Sequence, residues 1–171
     1  MINPIEKLYK FCPHCKTPLT NKKLHNKIRR VCPNCSFVFW SNPRPCVTAI
    51  LLNDKQEVLL LKIASGQLKN HWCMPGGIVE YDEKPQQSLI REVKEETGLD
   101  VHIDNLVDVF LIDNDPRGNS MEILYKASLL NSKMLLSHEH SEHGFFPVDK
   151  LPAPIAYEHE VAIKKFMSSK Q

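Results

Sequence analysis

The stretch Gly77-Ile78-Val79-Glu80-Tyr81-Asp82-Glu83-Lys84-Pro85-Gln86-Gln87-Ser88-Leu89-Ile90-Arg91-Glu92-Val93-Lys94-Glu95-Glu96-Thr97-Gly98-Leu99 governs the reading of this chain. Its second half predicts a helix over Lys84–Thr97. Pro85 is tolerated only in a first helical turn, and Gly98 suits the position just past the end. Leu89, Ile90 and Val93 make the apolar stripe. Glu92, Glu95 and Glu96 fall at i, i+3 and i+4, so their carboxylates converge on one face. Such a trio repels itself unless positive charge lies between its members. Oxygen-rich sites of this kind suit Mg²⁺ or Mn²⁺. Arg91, four residues before Glu95, can hold that carboxylate in place. Glu80 and Glu83 can join the cluster, and Gly76-Gly77 allows close backbone approach and a carbonyl toward the ion. The plainer alternative is a solvated helix face carrying an i,i+4 ion pair.

Outward from this helix the chain alternates strand-like runs with turns. Cys46–Leu52 and Glu57–Ile63 read as strands joined by Asn53-Asp54-Lys55-Gln56. Val101–Ile112 and Met121–Leu130 are further strands around the turn-like Asn114–Gly118, and His143–Val148 predicts another. Glu158–Met167 predicts a closing amphipathic helix with Val161, Ile163 and Phe166 apolar. Strands mixed with two helices imply a layered α/β domain.

Before this domain lie Cys12-Pro13-His14-Cys15 and Cys32-Pro33-Asn34-Cys35, two CxxC knuckles at zinc-site spacing. Together Cys12, Cys15, Cys32 and Cys35 supply the four sulfurs that tetrahedral Zn²⁺ prefers, with no open position, so the expected role is structural. A redox pair is the alternative. About 30 residues cannot bury enough surface to fold unaided, so metal binding is expected to supply the folding free energy. His14 and His25 are read as surface residues, and Cys46 and Cys73 as small core thiols. The domains are therefore drawn as 8–40, a small β zinc ribbon, and 44–170, with Ser41–Pro45 as connector.

The residues 77–99 match Gly-x5-Glu-x7-Arg-Glu-U-x-Glu-Glu-x-Gly-U, with U aliphatic, without gap or exception, and so the chain resembles the Nudix hydrolases. Trp72–Gly77 and Glu142–Pro152 also look like the family's, and the ribbon makes the chain similar to its zinc-ribbon subgroup. The resemblance implies an α/β/α sandwich with a mixed sheet, and hydrolysis of the pyrophosphate in a nucleoside diphosphate linked to another moiety. It implies Glu92, Glu95 and Glu96 as ligands of catalytic Mg²⁺ or Mn²⁺, the Gly77 carbonyl assisting, Glu83 structural or in the outer shell, and Arg91 orienting the cluster. The base that takes the water's proton is left among Glu92, Glu139 and Glu142. Trp72 is a candidate for stacking on a base, against a packing role; Glu80 and Arg117 are candidate substrate contacts. NADH pyrophosphatases of this kind carry a Ser-Gln-Pro-Trp-Pro-Phe-Pro-like stretch after the box, and this chain has none. Its Asp115-Pro116-Arg117-Gly118 instead looks like ADP-ribose pyrophosphatases. ADP-ribose is thus the expected substrate, with FAD next.

Charge divides the chain further. Residues 1–40 hold eight Lys/Arg against one acid, net +7, and the rest 14 against 19, net −5. The basic ribbon raises a second function, a nucleic-acid-binding or nucleotide-sensing regulator. Along the sequence, however, its cations show little aromatic interleaving, so weak or no nucleic-acid binding is expected. Phe37, Phe39 and Trp40 are expected to pack against the following domain. The other expected partners are a small nucleotide and, as an open alternative to a monomer, a second copy of the chain. No run approaches membrane-span length, and no secretory signal is read at the N-terminus, so no membrane and a cytoplasmic location are expected.

Overall fold

The computed structural model describes residues 9–113, 115 and 118–169. The chain divides into two compact units, Met1–Pro43 and Arg44–Gln171.

The smaller unit is a three-stranded antiparallel sheet, β1 (Thr20–Leu24), β2 (Lys27–Val31) and β3 (Val38–Phe39). Its core is small: Cys12, Leu19 and Cys32 are buried, with Cys15 and Phe37 against them. Lys22, Lys23, Lys27, Arg29 and Arg30 lie on the β1–β2 hairpin, where Lys22 pairs with Arg29 and Asn21 with Arg30. The aromatics find partners inside the ribbon itself. Phe39 stacks on Tyr9 at 3.8 Å, Phe37 lies 4.9 Å from His14, and the Arg29 guanidinium sits 4.9 Å over Trp40. Cation and aromatic thus meet across strands although they are separated in sequence.

In the larger unit β4 (Arg44–Leu51), β5 (Val58–Ile63), β6 (Trp72–Cys73), β7 (Gly76–Ile78), α1 (Pro85–Thr97), β8 (Val101–Ile112), β9 (Ser120–Leu129), β10 (His140–Phe146) and α2 (His159–Ser168) follow in order. Four strands pair as β7-β4-β9-β8 and three as β10-β5-β6. Only β4 and β9 run parallel, so the larger sheet is mixed.

Strand parity builds the layers. Val47, Ala49 and Leu51 share one core with Leu89 and Val93 of α1. Ile50 and Leu124 share the other with Ile163 and Phe166 of α2. Alternating side chains therefore bury opposite sheet faces under the two helices, an α/β/α arrangement. The α1 helix starts one residue later than expected, with Lys84 as its N-cap. It ends at Gly98, which takes φ 70 and donates its N–H to Lys94 O.

Three sequence expectations need correction. Ile90 is not part of the buried stripe; it is 45% exposed, because i and i+4 already fill the narrow contact with the sheet. Val161 is likewise exposed on α2. The last strand begins at His140, inside what was read as a polar loop, and ends at Phe146. Among the described residues no helix is long and apolar enough to cross a membrane.

Candidate functional site

The short β7 strand and α1 position the acidic cluster. Gly76 and Gly77 pair with Thr48 and Val47, bringing backbone directly under the helix. A Cβ on Gly77 would fall 2.3 Å from the Glu92 carboxyl carbon, and one on Gly76 2.0 Å from the Val47 carbonyl. Only glycine lets chain and carboxylate approach so closely. Glu96 is 7% exposed, and its Oε2 accepts the Gly76 N–H at 2.9 Å.

Arg91 organises the remainder. Its guanidinium donates to Glu83 at 2.7 and 3.1 Å, to Glu92 at 2.8 Å and to Glu95 at 3.0 Å. Glu83 in turn accepts the Glu80 N–H. The Arg91 hydrogen bonds hold the Glu83 carboxyl down at about 2. Glu96 goes the other way. Burial pushes its proton affinity well up, and Glu92, Glu139 and Glu95 add to the rise while the Gly76 N–H opposes it. Burial likewise raises Glu92, with Arg91 opposing. A buried carboxylate facing three others is a poor anion on its own. A divalent cation among these oxygens would relieve both burdens, so the donor set fits a hard ion.

Glu92, Glu95, Glu96, Gly77 and Glu80 line a cavity of about 830 Å³, together with Glu139. Glu142 is not in this lining. On β10 it pairs with Lys62 at 3.0 Å, and the register shift between His140 and Glu142 takes it off the face that His140 and Ile63 turn to the cavity. Trp72 is also absent from the lining. It is 8% exposed in the second core, edge-on to Phe146 at 5.1 Å, so the stacking expectation yields to the packing one. Arg117, Asn114 and Pro116 lie outside the described residues. Their neighbour Asp115 is buried and pairs with Arg44 at 3.4 Å.

Sequence reading missed several lining residues: Thr48, Met74, Ser120, Glu122, Tyr157 and His159. Cys46 lines the cavity too, rather than the core. No local signal marks Glu122, because Ser120, Lys126 and Ser128 share its strand parity with Leu124 and make a polar residue there ordinary. Burial pushes its carboxyl up to about 7, Asp115 adding and Thr48 opposing. His140, buried by its strand, places Nε2 3.6 Å from Glu96 Oε1.

In the ribbon, one potential ligand atom from each of the four cysteines lies within 4.8 Å of all the others. Three of the six sulfur pairs stand 3.4 to 3.6 Å apart. A tetrahedron with Zn–S bonds of about 2.3 Å has edges of about 3.8 Å, so the four thiols could hold zinc after a slight expansion. The Cys35 N–H points to Cys32 Sγ at 3.5 Å, an outer-shell contact that favours thiolate. Among the described residues only the four cysteines bring their ligand atoms so close together; neither the His138–His143 segment nor Glu92, Glu95 and Glu96 do so.

Comparison with known proteins agrees with this geometry. The model of the family described as NUDIX domain matches residues 42–166. An ADP-ribose pyrophosphatase of Methanocaldococcus jannaschii is 30% identical over 150 residues, 87% of this chain and 88% of that protein. An ADPR responsive transcriptional repressor of Acinetobacter baylyi is 30% identical over 128 residues, 68% of this chain and 51% of that protein. The crystal structure of a NUDIX hydrolase from Nitrosomonas europaea superposes with a TM-score of 0.79 at 27% identity, covering 94% of this chain and 92% of its own.

Proposed function

We propose, from the premise that this chain belongs to the Nudix family, that its substrate is ADP-ribose or a related dinucleotide such as FAD. The chain is a pyrophosphohydrolase, and Nudix enzymes use divalent metal ions such as Mg²⁺. The observation that carries the reading is the convergence of Glu92, Glu95 and Glu96 with the Gly76-Gly77 backbone on one cavity wall. The likeness to an ADP-ribose pyrophosphatase along nearly the whole chain supports the substrate.

Glu92, Glu95, Glu96 and the Gly77 carbonyl would hold Mg²⁺ or Mn²⁺. Such an ion neutralises the pyrophosphate and lowers the pKa of an attacking water. Arg91 positions the carboxylates, and Glu83 fixes Arg91. Glu139 accepts the proton of the water. It lines the cavity, whereas Glu142 is engaged by Lys62 elsewhere and Glu92 by Arg91. The cavity is large enough for a nucleotide. Cys12, Cys15, Cys32 and Cys35 hold a structural zinc.

A panel of dinucleotides and nucleotide sugars, incubated with Mg²⁺ or Mn²⁺ together with alkaline phosphatase so that the monophosphate products release phosphate for detection, tests the substrate. ADP-ribose should give AMP and ribose 5-phosphate. A specificity constant highest for NADH would overturn this choice. The general base is tested by a pair of variants. Glu139→Gln should lower kcat roughly a hundredfold or more, the scale of lost general base catalysis. Glu142→Gln should change it little, since it loses only an exposed ion pair. The reverse order would move the base to Glu142. A nucleotide-sensing regulator is the second reading, supported by the likeness to the repressor. Failure to hydrolyse any of the panel would favour it.

A further inference from the structure

Five buried side-chain polar atoms among the described residues lack a hydrogen-bond partner. Four of them belong to residues of the one cavity described above: Thr48 Oγ1, Glu122 Oε1, His140 Nδ1 and His159 Nε2. Buried polar groups are nearly always satisfied, because an unmade bond leaves the full desolvation penalty. Their concentration here calls for a ligand that supplies the missing partners.

His140 lies against Glu96 and belongs to the carboxylate wall. The other three come from different elements. Cys46 and Thr48 share one face of β4. Glu122 on β9 stands in register with Cys46, and so on that same face. Gly77 pairs with Val47 on the other side of β4. Glu122 is therefore two strands from the glycine backbone of the carboxylate wall, about 10 Å at ordinary strand spacing. A ribose and a base bridge such a gap when the diphosphate sits at the carboxylates.

The chemistry of the three groups is defined by their neighbours. His159 is 1% exposed, and its Nδ1 accepts the Met74 N–H at 3.0 Å. Burial holds it neutral, its pKa near 3, so its single proton is on Nε2. Nε2 is thus a donor without an acceptor. Glu122 is 3% exposed, and its Oε1 is an acceptor without a donor once the carboxyl, which burial pushes up to about 7, has ionised. The Thr48 hydroxyl, near enough to Glu122 to oppose the rise in its pKa, can turn to that carboxyl or to a ligand.

We propose that Thr48, Glu122 and His159 form a nucleobase-reading subsite for a base with an exocyclic amino group beside an unprotonated ring nitrogen, as in adenine. Glu122 accepts from the amino group, His159 Nε2 donates to a ring nitrogen, and Thr48 completes the contact. The placement of the base rests on the pyrophosphatase reading, which puts the diphosphate at Glu92, Glu95 and Glu96. A base without the amino group leaves Glu122 buried and unpaired, and a site built for a hydrogen bond rejects such analogues strongly.

The test is calorimetric binding at pH 8, where the Glu122 carboxyl is ionised, of AMP and of purine riboside 5′-monophosphate, which differs only in lacking the amino group, to the full chain. The wild type should bind AMP roughly ten- to hundredfold more tightly. Glu122→Met removes both acceptor oxygens at similar length and should bind the two alike. Glu122→Gln keeps a carbonyl oxygen and should keep part of the preference. Thermal melting checks that both variants fold; if the Met variant does not, the wild type and the Gln variant decide. Equal affinities in the wild type, no detectable AMP binding, or a wild-type ratio in folded Glu122→Met overturn the subsite. Hydrolysis of dinucleotides without any amino-group preference sinks the subsite alone. A clear AMP preference in a chain that hydrolyses none of them sinks the pyrophosphatase reading and leaves the subsite standing.

Discussion

Replacing Glu96 by Gln is expected to lower turnover by about a hundredfold or more while leaving the fold intact. The side chain is almost fully buried, and it accepts the Gly76 N–H with one oxygen. The amide of Gln can keep that bond at nearly the same volume. What it cannot keep is the charge, and a hard cation is held mainly by charge. The fold should not suffer. Burial and the neighbouring carboxylates already make Glu96 a reluctant anion, so the metal-free variant should melt at the wild-type temperature or above. The sign follows from linkage. A carboxyl whose folded pKa is raised costs stability once pH exceeds its unfolded value, and the amide removes that cost. Steady-state hydrolysis across a Mg²⁺ or Mn²⁺ titration, with a melting curve alongside, gives both readouts. Near-wild-type turnover at saturating metal would remove Glu96 from the site.

Cys32→Ser should have an equally large effect, on the ribbon. Purified protein should carry about one tightly held zinc per chain, and the variant close to none. Cys32 is the most buried of the four thiols and sits in a small core whose other buried members among the described residues are Leu19 and Cys12. Its own N–H bonds Phe37 O at 2.8 Å, closing the second knuckle. Serine oxygen is a hard, weakly acidic ligand and replaces a thiolate poorly. Without the ion, a unit of this size lacks the buried area to pay for its ordering. Limited proteolysis should then cut within residues 8–40. Residues 44–169 should resist, because they have two apolar clusters of their own. Metal analysis showing no zinc in carefully prepared wild type, or undiminished zinc in the variant, would defeat the assignment.

The two predictions rest on features of different legibility. The zinc knuckles and the helical glutamates are local patterns. Two cysteines three apart must form a tight turn if they share an ion, and i, i+3, i+4 spacing places three carboxylates on one face whatever surrounds the helix. Helix limits were legible for the same reason, since Pro85 and Gly98 act through their own backbone. The histidine-rich segment was less so. His140 is drawn into a strand by pairing with Ile63, a partner 77 positions earlier, and no local signal announces that.

The sequence by itself determined the family, the layered α/β class, the paired cysteine knuckles and the carboxylates of α1, because each follows from spacing and periodicity along the chain. Tertiary structure alone decided which other side chains join them. It sent Trp72 into the core and Cys73 toward His140 from adjacent positions of one short strand, by parity. It separated Glu139 from Glu142, giving one to the cavity and the other to Lys62. It placed Trp40 under Arg29, interleaving charge and ring where the linear order had kept them apart. And it gathered Thr48, Glu122 and His159 from β4, β9 and α2 around one cavity. The physical reason is common to all four: strand register and the packing of distant elements set where a side chain points, and neither is encoded within the few residues around it.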